Sequence, residues 1–368
     1  MKRRSTLAIL TAGWCPGFRP APVSGNNATP METAAQLIQK QVAAGVLESA
    51  VLRVHRGGET FERAFGKAAS GEAVFLLASI SKTLTAAGVM VLMDRGELRL
   101  EAPVMTYLPE FSEGARKDVT LEHLLTHTSG LPDQLPENNE LRRRHAPLDD
   151  FVQGALRTPL LFPPGTRYHY QSMGLLLAGE VVRRVTGLPL ADFLAREVFP
   201  VLGMRNTTMG LGTLRPEETV RCQTEHAAPE AGGGDVTARD WDWNSVYWRS
   251  LGAPWGGAHG TAADIDRFLG SFLHPEGKLM RVESARRMTE NQTSGLNARR
   301  GLGFALGPEG FGRECSARTF GHGGSTGTLA WADPEKDLTC VILTSLPSQV
   351  SGPLILHPVS DLVAAAHP

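Results

Sequence analysis

Apolar and polar positions alternate from Ser49 to His55, and Gly57-Gly58 then turns the chain into Phe61 to Phe65, which predicts a β-hairpin. Ahead of it, Met31 to Ala44 carries apolar residues at helical spacing and predicts an amphipathic helix. Ser79 to Arg95 is a longer helical pattern, with Leu84, Val89, Val91, Leu92 and Met93 as its apolar body and Gly96 as its stop. From Leu98 to about Leu251 strand signals are scarce, and helical runs at Leu121 to Thr126, Leu175 to Val185 and Leu190 to Phe199 are joined by Pro/Gly loops. Strand patterns return at Gly303 to Leu306, Thr319 to His322, Thr328 to Ala332 and Leu338 to Leu343, before a closing helix from Leu354 to Ala366. Strands at both ends and helices between them predict a sheet built from the two termini with a largely helical insertion. The expected organisation is a leader or loose tail over 1–30, then one domain over 31–368. Its sheet lobe is expected from about 31–80 and 255–368, and its helical lobe from about 81–254.

Composition narrows the function classes. The 368 residues are 42% hydrophobic and 20% charged, enough to bury a large core without disulfides or a structural metal. Lys+Arg 37 against Asp+Glu 38 leaves a net charge of -1, which argues against a nucleic-acid partner. No segment reaches the ~18 unbroken apolar residues of a membrane span. Cys15, Cys222, Cys315 and Cys340 form no Cys-x-x-Cys pair, so neither a zinc knuckle nor a thioredoxin-type site is expected. Cys340, in the run Leu338 to Leu343, reads as a small buried hydrophobe, and sequence leaves open whether Cys222 and Cys315 pair. Lys2, Arg3 and Arg4 precede the apolar stretch Leu7 to Trp14 and then Pro16, Pro20 and Pro22. That order fits a short export signal of twin-arginine style, with a loose cytoplasmic tail as the alternative.

Candidate chemistry begins at Ser79-Ile80-Ser81-Lys82. Ser-x-x-Lys is a short pattern that chance would supply about 0.4 times in a chain of this composition. Its position gives it weight, because it follows the apolar run Val74 to Ala78 and opens the long helix. Residues three apart share a helix face, so the Ser79 hydroxyl and the Lys82 amine can meet. A helix start also offers free N–H groups to a developing oxyanion. A serine hydroxyl attacks only when a base removes its proton, and a lysine serves as that base only where burial or a neighbouring cation favours its neutral form. Two further elements stand out. In Pro164 to Ser172, Tyr170 and Ser172 sit two apart on a turn ahead of a helix, and Phe320-Gly321-His322-Gly323-Gly324-Ser325 ends a strand in bare backbone along which a substrate can lie.

Ser79-x-x-Lys82, Tyr170-x-Ser172 and His322-Gly323-Gly324, in that order, resemble the serine beta-lactamase and penicillin-binding-protein superfamily. The nearest branch is the class C-like one, with its family VIII carboxylesterases and D-amino-acid-specific peptidases. Leu124-Leu125-Thr126-His127-Thr128-Ser129-Gly130-Leu131, Gly260 to Ile265 and Trp331 to Glu335 match it as well, so the resemblance runs from about residue 31 to 348. It implies an α/β (α+β) fold whose antiparallel sheet is flanked by helices. It also implies Ser79 as acylating nucleophile, Lys82 as its proton acceptor and Tyr170 as the partner base toward the leaving group. The oxyanion hole would be the backbone N–H groups of Ser79 and Ser325, beside Gly323 and Gly324. His322 stands where beta-lactamases commonly carry the lysine of Lys-Thr-Gly, and is expected to be a cation only part of the time near pH 7. Ser172 replaces the usual asparagine, exchanging an amide for a single hydroxyl donor.

These departures move the expectation from beta-lactams and peptides toward carboxylic esters, hydrolysed through an acyl-enzyme with no cofactor or metal. A weak beta-lactamase, a D-amino-acid peptidase or amidase, and a silent penicillin-recognising protein stay open as alternatives. Two other motifs compete. Gly323-Gly324-Ser325-Thr326-Gly327 fits the Gly-x-Ser-x-Gly elbow of α/β-hydrolases, but a strand pattern follows where that motif needs a helix. His123 and His127 are four apart, the spacing of a metal pair, yet lack the His-Glu-x-x-His glutamate, so packing or loop-anchoring is the better reading. Arg142, Arg143 and Arg144 with Asp149 and Asp150 read as a solvated loop, and Trp241, Trp243, Trp248 and Trp255 as a mixture of core and pocket lining.

Overall fold

A computed structural model describes residues 29–366, so the leader reading and Cys15 lie outside the described residues. The chain opens with α1 (Pro30–Ala43), whose start is set by Pro30 and by Thr29, which accepts the Glu32 N–H. The hairpin β1 (Ser49–Arg56) and β2 (Glu59–Gly66) follows, then the two-residue β3 (Phe75–Leu76), a 3-10 turn (Ala78–Ile80) and α2 (Ser81–Asp94). Next come α3 (Leu121–Leu125), α4 (Asn138–Arg143), α5 (Leu148–Arg157), α6 (Met173–Thr186) and α7 (Leu190–Glu197). The chain continues through β4 (Thr208–Met209), α8 (Val246–Ser250), β5 (Ala258–Gly260), α9 (Ala262–Leu273) and α10 (Val282–Thr289). It finishes with β6 (Ala305–Leu306), β7 (Phe320–Gly324), β8 (Thr328–Asp333), β9 (Leu338–Thr344), the single turn α11 (Ser348–Ser351) and α12 (His357–Ala365).

Six strands form one antiparallel sheet in the order β2-β1-β9-β8-β7-β6. Strands from the two ends of the chain therefore meet at the β1–β9 seam, with Val51 opposite Leu343 and Val54 opposite Cys340. Every residue of β9 is buried, because helices cover both faces. Leu52, Val54, Leu338, Cys340 and Ile342 pack with α1 and α12 on one side, and Val51, Val341 and Leu343 join the larger core with α9 and α2 on the other. Cys222, Cys315 and Cys340 are free buried thiols. Among the described residues no helix is long and apolar enough to cross a membrane.

Several elements differ from the sequence expectation. The strand expected over Gly303 to Leu306 shrinks to β6, and β7 runs on to Gly324. The long helix begins at Ser81, after the 3-10 turn that carries Ser79. A second sheet, β3-β5-β4, passed unseen because two- and three-residue strands carry no readable alternation. It matters for the site, since Leu77 N donates to Ala258 O at 2.8 Å and so fixes the chain just ahead of Ser79.

Candidate active site

Ser79 sits where three structural elements converge. Ala78 takes a left-handed backbone (φ 46°), strained for a residue with a Cβ. The strain is held in place by hydrogen bonds around it. Thr326 Oγ1 donates to Leu76 O at 2.7 Å and Thr328 Oγ1 to Leu77 O at 3.0 Å, while Ser81 Oγ donates to Ala78 O and accepts the Ala258 N–H. Gly324 is required at this crossing, because a Cβ there would lie 2.4 Å from Leu77 O and 2.2 Å from Thr328 Oγ1.

α2 then presents Lys82 one turn on. Its Nζ donates to Ser79 Oγ at 3.0 Å and to Trp255 O at 3.1 Å, and it stands 4.7 Å from the centre of the Tyr170 ring. Lys82 is buried and Ser79 half-buried, so the hydroxyl meets the cleft and the amine lies beneath it. Ser79, Tyr170, Ser172 and Ser325 line one cleft of about 810 Å³ together with Leu76, Trp243, Trp248 and Trp255. Among the described residues neither the Ser79 nor the Ser325 amide donates to a backbone carbonyl. Both are thus available to a negatively charged oxygen in the cleft. Ser325 occupies the turn between β7 and β8, a hairpin in place of the strand–turn–helix that the Gly-x-Ser-x-Gly reading requires.

Two imidazoles flank Tyr170. The His127 ring lies 4.8 Å from the Tyr170 ring and the His322 ring 6.0 Å from it. His127 Nδ1 accepts the Gln171 N–H, which puts the ring proton on Nε2. His322 Nδ1 faces the Gly323 carbonyl at 2.7 Å; a carbonyl only accepts, so the proton is on Nδ1 and Nε2 is a bare lone pair. Both Nε2 atoms are buried without a partner. Burial, reinforced by the nearby Arg300 and Lys82 charges, pushes His322 down to about 3 and His127 well below the usual histidine range. The expected part-time cation at His322 is corrected accordingly: near pH 7 this ring is neutral. His123 Nδ1 accepts the Thr120 N–H and closes a capping box on α3, and among the described residues no group of three His, Cys, Asp or Glu side chains could hold a metal ion.

A sequence model of the family described as Beta-lactamase matches residues 34–357. The chain belongs to the beta-lactamase family. Esterase EstB of Burkholderia gladioli is 32% identical to this beta-lactamase-family chain over 360 residues, covering 84% of this chain and 89% of that protein. Penicillin-binding protein 4 of Amycolatopsis lactamdurans is 31% identical over 263 residues, 69% of this chain and 62% of that protein. Among solved structures, EstA from Arthrobacter nitroguajacolicus Rue61a superposes with a TM-score of 0.71 at 22% identity, covering 92% of this chain and 96% of that one. D-amino acid amidase from Ochrobactrum anthropi SV3, solved with D-phenylalanine, gives 0.71 at 24%, covering 91% and 97%. The chain is a hydrolase of the beta-lactamase and penicillin-binding-protein superfamily.

Several residues of this beta-lactamase-family cleft escaped the sequence reading. Asp133 and Gln134 line it from the loop just past the Leu124 to Leu131 string, and Ser172 Oγ donates to Asp133 Oδ1 at 2.6 Å. Arg142, expected in a solvated loop, is instead buried, with its guanidinium 3.7 Å from the centre of the Trp248 ring. Arg144 does stay at the surface, paired with Asp150 at 2.6 Å. Arg300 stacks against Tyr168 and Tyr170 and donates to the Tyr168 hydroxyl. Of the tryptophans, Trp243, Trp248 and Trp255 line the cleft, whereas Trp241 packs by Arg143.

Proposed function

We propose that this protein is a serine hydrolase that cleaves carboxylic esters through an acyl-enzyme on Ser79. The observation that carries the reading is the 3.0 Å contact between Lys82 Nζ and Ser79 Oγ, beneath the Tyr170 ring and at the floor of an open cleft. In its neutral form Lys82 takes the hydroxyl proton as Ser79 Oγ bonds to the ester carbonyl carbon. The carbonyl oxygen, now an oxyanion, accepts from the amides of Ser79 and Ser325. Collapse breaks the bond to the leaving alcohol, which receives its proton from the Lys82–Tyr170 pair. Water then attacks the acyl carbon, the same pair takes its proton, and Ser79 recovers its hydrogen as the acid departs.

Two features support esters over substrates that carry a carboxylate. His322 is neutral, so its position offers no fixed cation. The cleft walls at Leu76, Trp243, Trp248 and Trp255 are apolar and suit acyl or alkyl groups. The 32% identity to Esterase EstB supports the same reading. Hydrolysis of p-nitrophenyl butyrate tests it. Ser79→Ala should lose activity by roughly a thousandfold or more, while Ser325→Ala should keep most of it because only its main-chain amide is used. A fluorophosphonate should add once, on a peptide containing Ser79. The opposite pattern, with Ser325 essential and labelled, would overturn the assignment.

A further inference from the structure

We infer that the cleft carries a subsite for a protonated primary amine, built from Asp133 and Ser172, and that the enzyme prefers esters bearing such a group; the inference rests on the hydrolase reading of the same cleft. It starts from the hydroxyl at 172. Ser172 is buried, and its one hydrogen is spent on Asp133 Oδ1 at 2.6 Å. An asparagine here would present two N–H donors to a substrate. Ser172 presents only the remaining lone pairs of Oγ.

The neighbouring carboxylate is an acceptor too. Asp133 is half-buried, lines the cleft, and makes no ion pair among the described residues. A carboxylate and a hydroxyl oxygen are thus held together in the lining of the cleft that holds Ser79, with the serine's hydrogen consumed and acceptor capacity left over. A primary ammonium is the complementary ligand: N–H donors and one positive charge against a carboxylate and a hydroxyl oxygen. The tryptophan faces suit the apolar body of such a substrate. Arg142, the other charged side chain lining the cleft besides Asp133, is buried against Trp248. A substrate carboxylate directed at this wall meets Asp133 and is repelled.

Matched esters test the subsite. Phenylalanine methyl ester, as each enantiomer, and methyl 3-phenylpropanoate differ by the amine alone, and at pH 6.5 that amine is largely charged, its ordinary value being about 7.7. The wild-type enzyme should favour at least one amino ester over the neutral ester by roughly tenfold in kcat/KM. Asp133→Asn should bring that ratio close to one, whichever way the absolute rates move. A wild-type ratio at or below one, or an unchanged ratio in Asp133→Asn, overturns the subsite. Should that variant fail to fold, competition against p-nitrophenyl butyrate in the wild type decides: benzylamine should inhibit more strongly than benzyl alcohol, and equal or weaker inhibition overturns the proposal. The two readings fail separately. Ser79-dependent turnover without amine preference removes the subsite alone, whereas absence of Ser79-dependent turnover of every ester removes the hydrolase assignment and the subsite with it.

Discussion

Asp264, Asp266 and Asp333 are buried carboxylates, and each is saturated. Asp264 accepts from Asn206 N and Thr207 Oγ1 and pairs with Arg267. Asp266 is held by Arg53 and Thr339, and Asp333 by the Ser316 amide and hydroxyl and the Glu335 amide. The polar groups beneath the cleft are buried just as deeply and left open. His127 and His322 each keep an unpartnered Nε2, and Lys82 faces a hydroxyl, a carbonyl and a ring face rather than a carboxylate. For these three carboxylates hydrogen bonds fill the capacity, since an unmet buried group costs about 1–3 kcal/mol. Under the cleft, capacity left unfilled beside Ser79 is what a travelling proton or an arriving substrate can use.

The strongest way to break this contrast is Lys82→Met. It should lower ester hydrolysis by about a thousandfold or more while leaving thermal stability unchanged or higher, because an apolar chain of similar length replaces a buried amine. A large fall in Tm would show that Lys82 belongs with the saturated set. Asp333→Ala should do the reverse, destabilising the fold by about 3 kcal/mol by stranding three donors. Its kcat/KM measured well below Tm should stay within about twofold, and denaturant titration together with kinetics separates the two effects.

The finest test uses pH. His259 and His322 are each pushed down to about 3 by burial, so between about 6.5 and 3 the unfolded chain binds protons that the folded chain does not. Stability from these two rings is therefore fully present above pH 6.5 and is lost as pH falls through that window. His322→Gln should remove about one proton of the uptake on unfolding, lowering the slope of stability against pH by about 1.4 kcal/mol per unit near pH 4.5. An unchanged slope would place His322 among groups that gain a proton in the native state.

Much of this was legible in the order of residues, for reasons that are local. The β1–β2 hairpin announced itself by alternation and a Gly-Gly turn, and Ser79 with Lys82 by helical spacing. What escaped depends on contacts across the fold. Asp133 lines the cleft in contact with Ser172, far along the chain, and Arg142 lies buried with its guanidinium over Trp248. His322 as a neutral ring could not be read from its neighbours in sequence, since burial sets its charge. Helices α9 and α10 went unread, since no element is expected between Leu251 and Gly303.

The seam between β1 and β9 has a consequence for biosynthesis. β1 finds its central neighbour only when residues 338–344, nearly three hundred positions later, have been made. Until then the apolar edge of the early hairpin has no mate, and loop closure over nearly three hundred residues has to precede the main sheet. In a product cut short before its final strand, that edge stays unpaired and open to association with another chain.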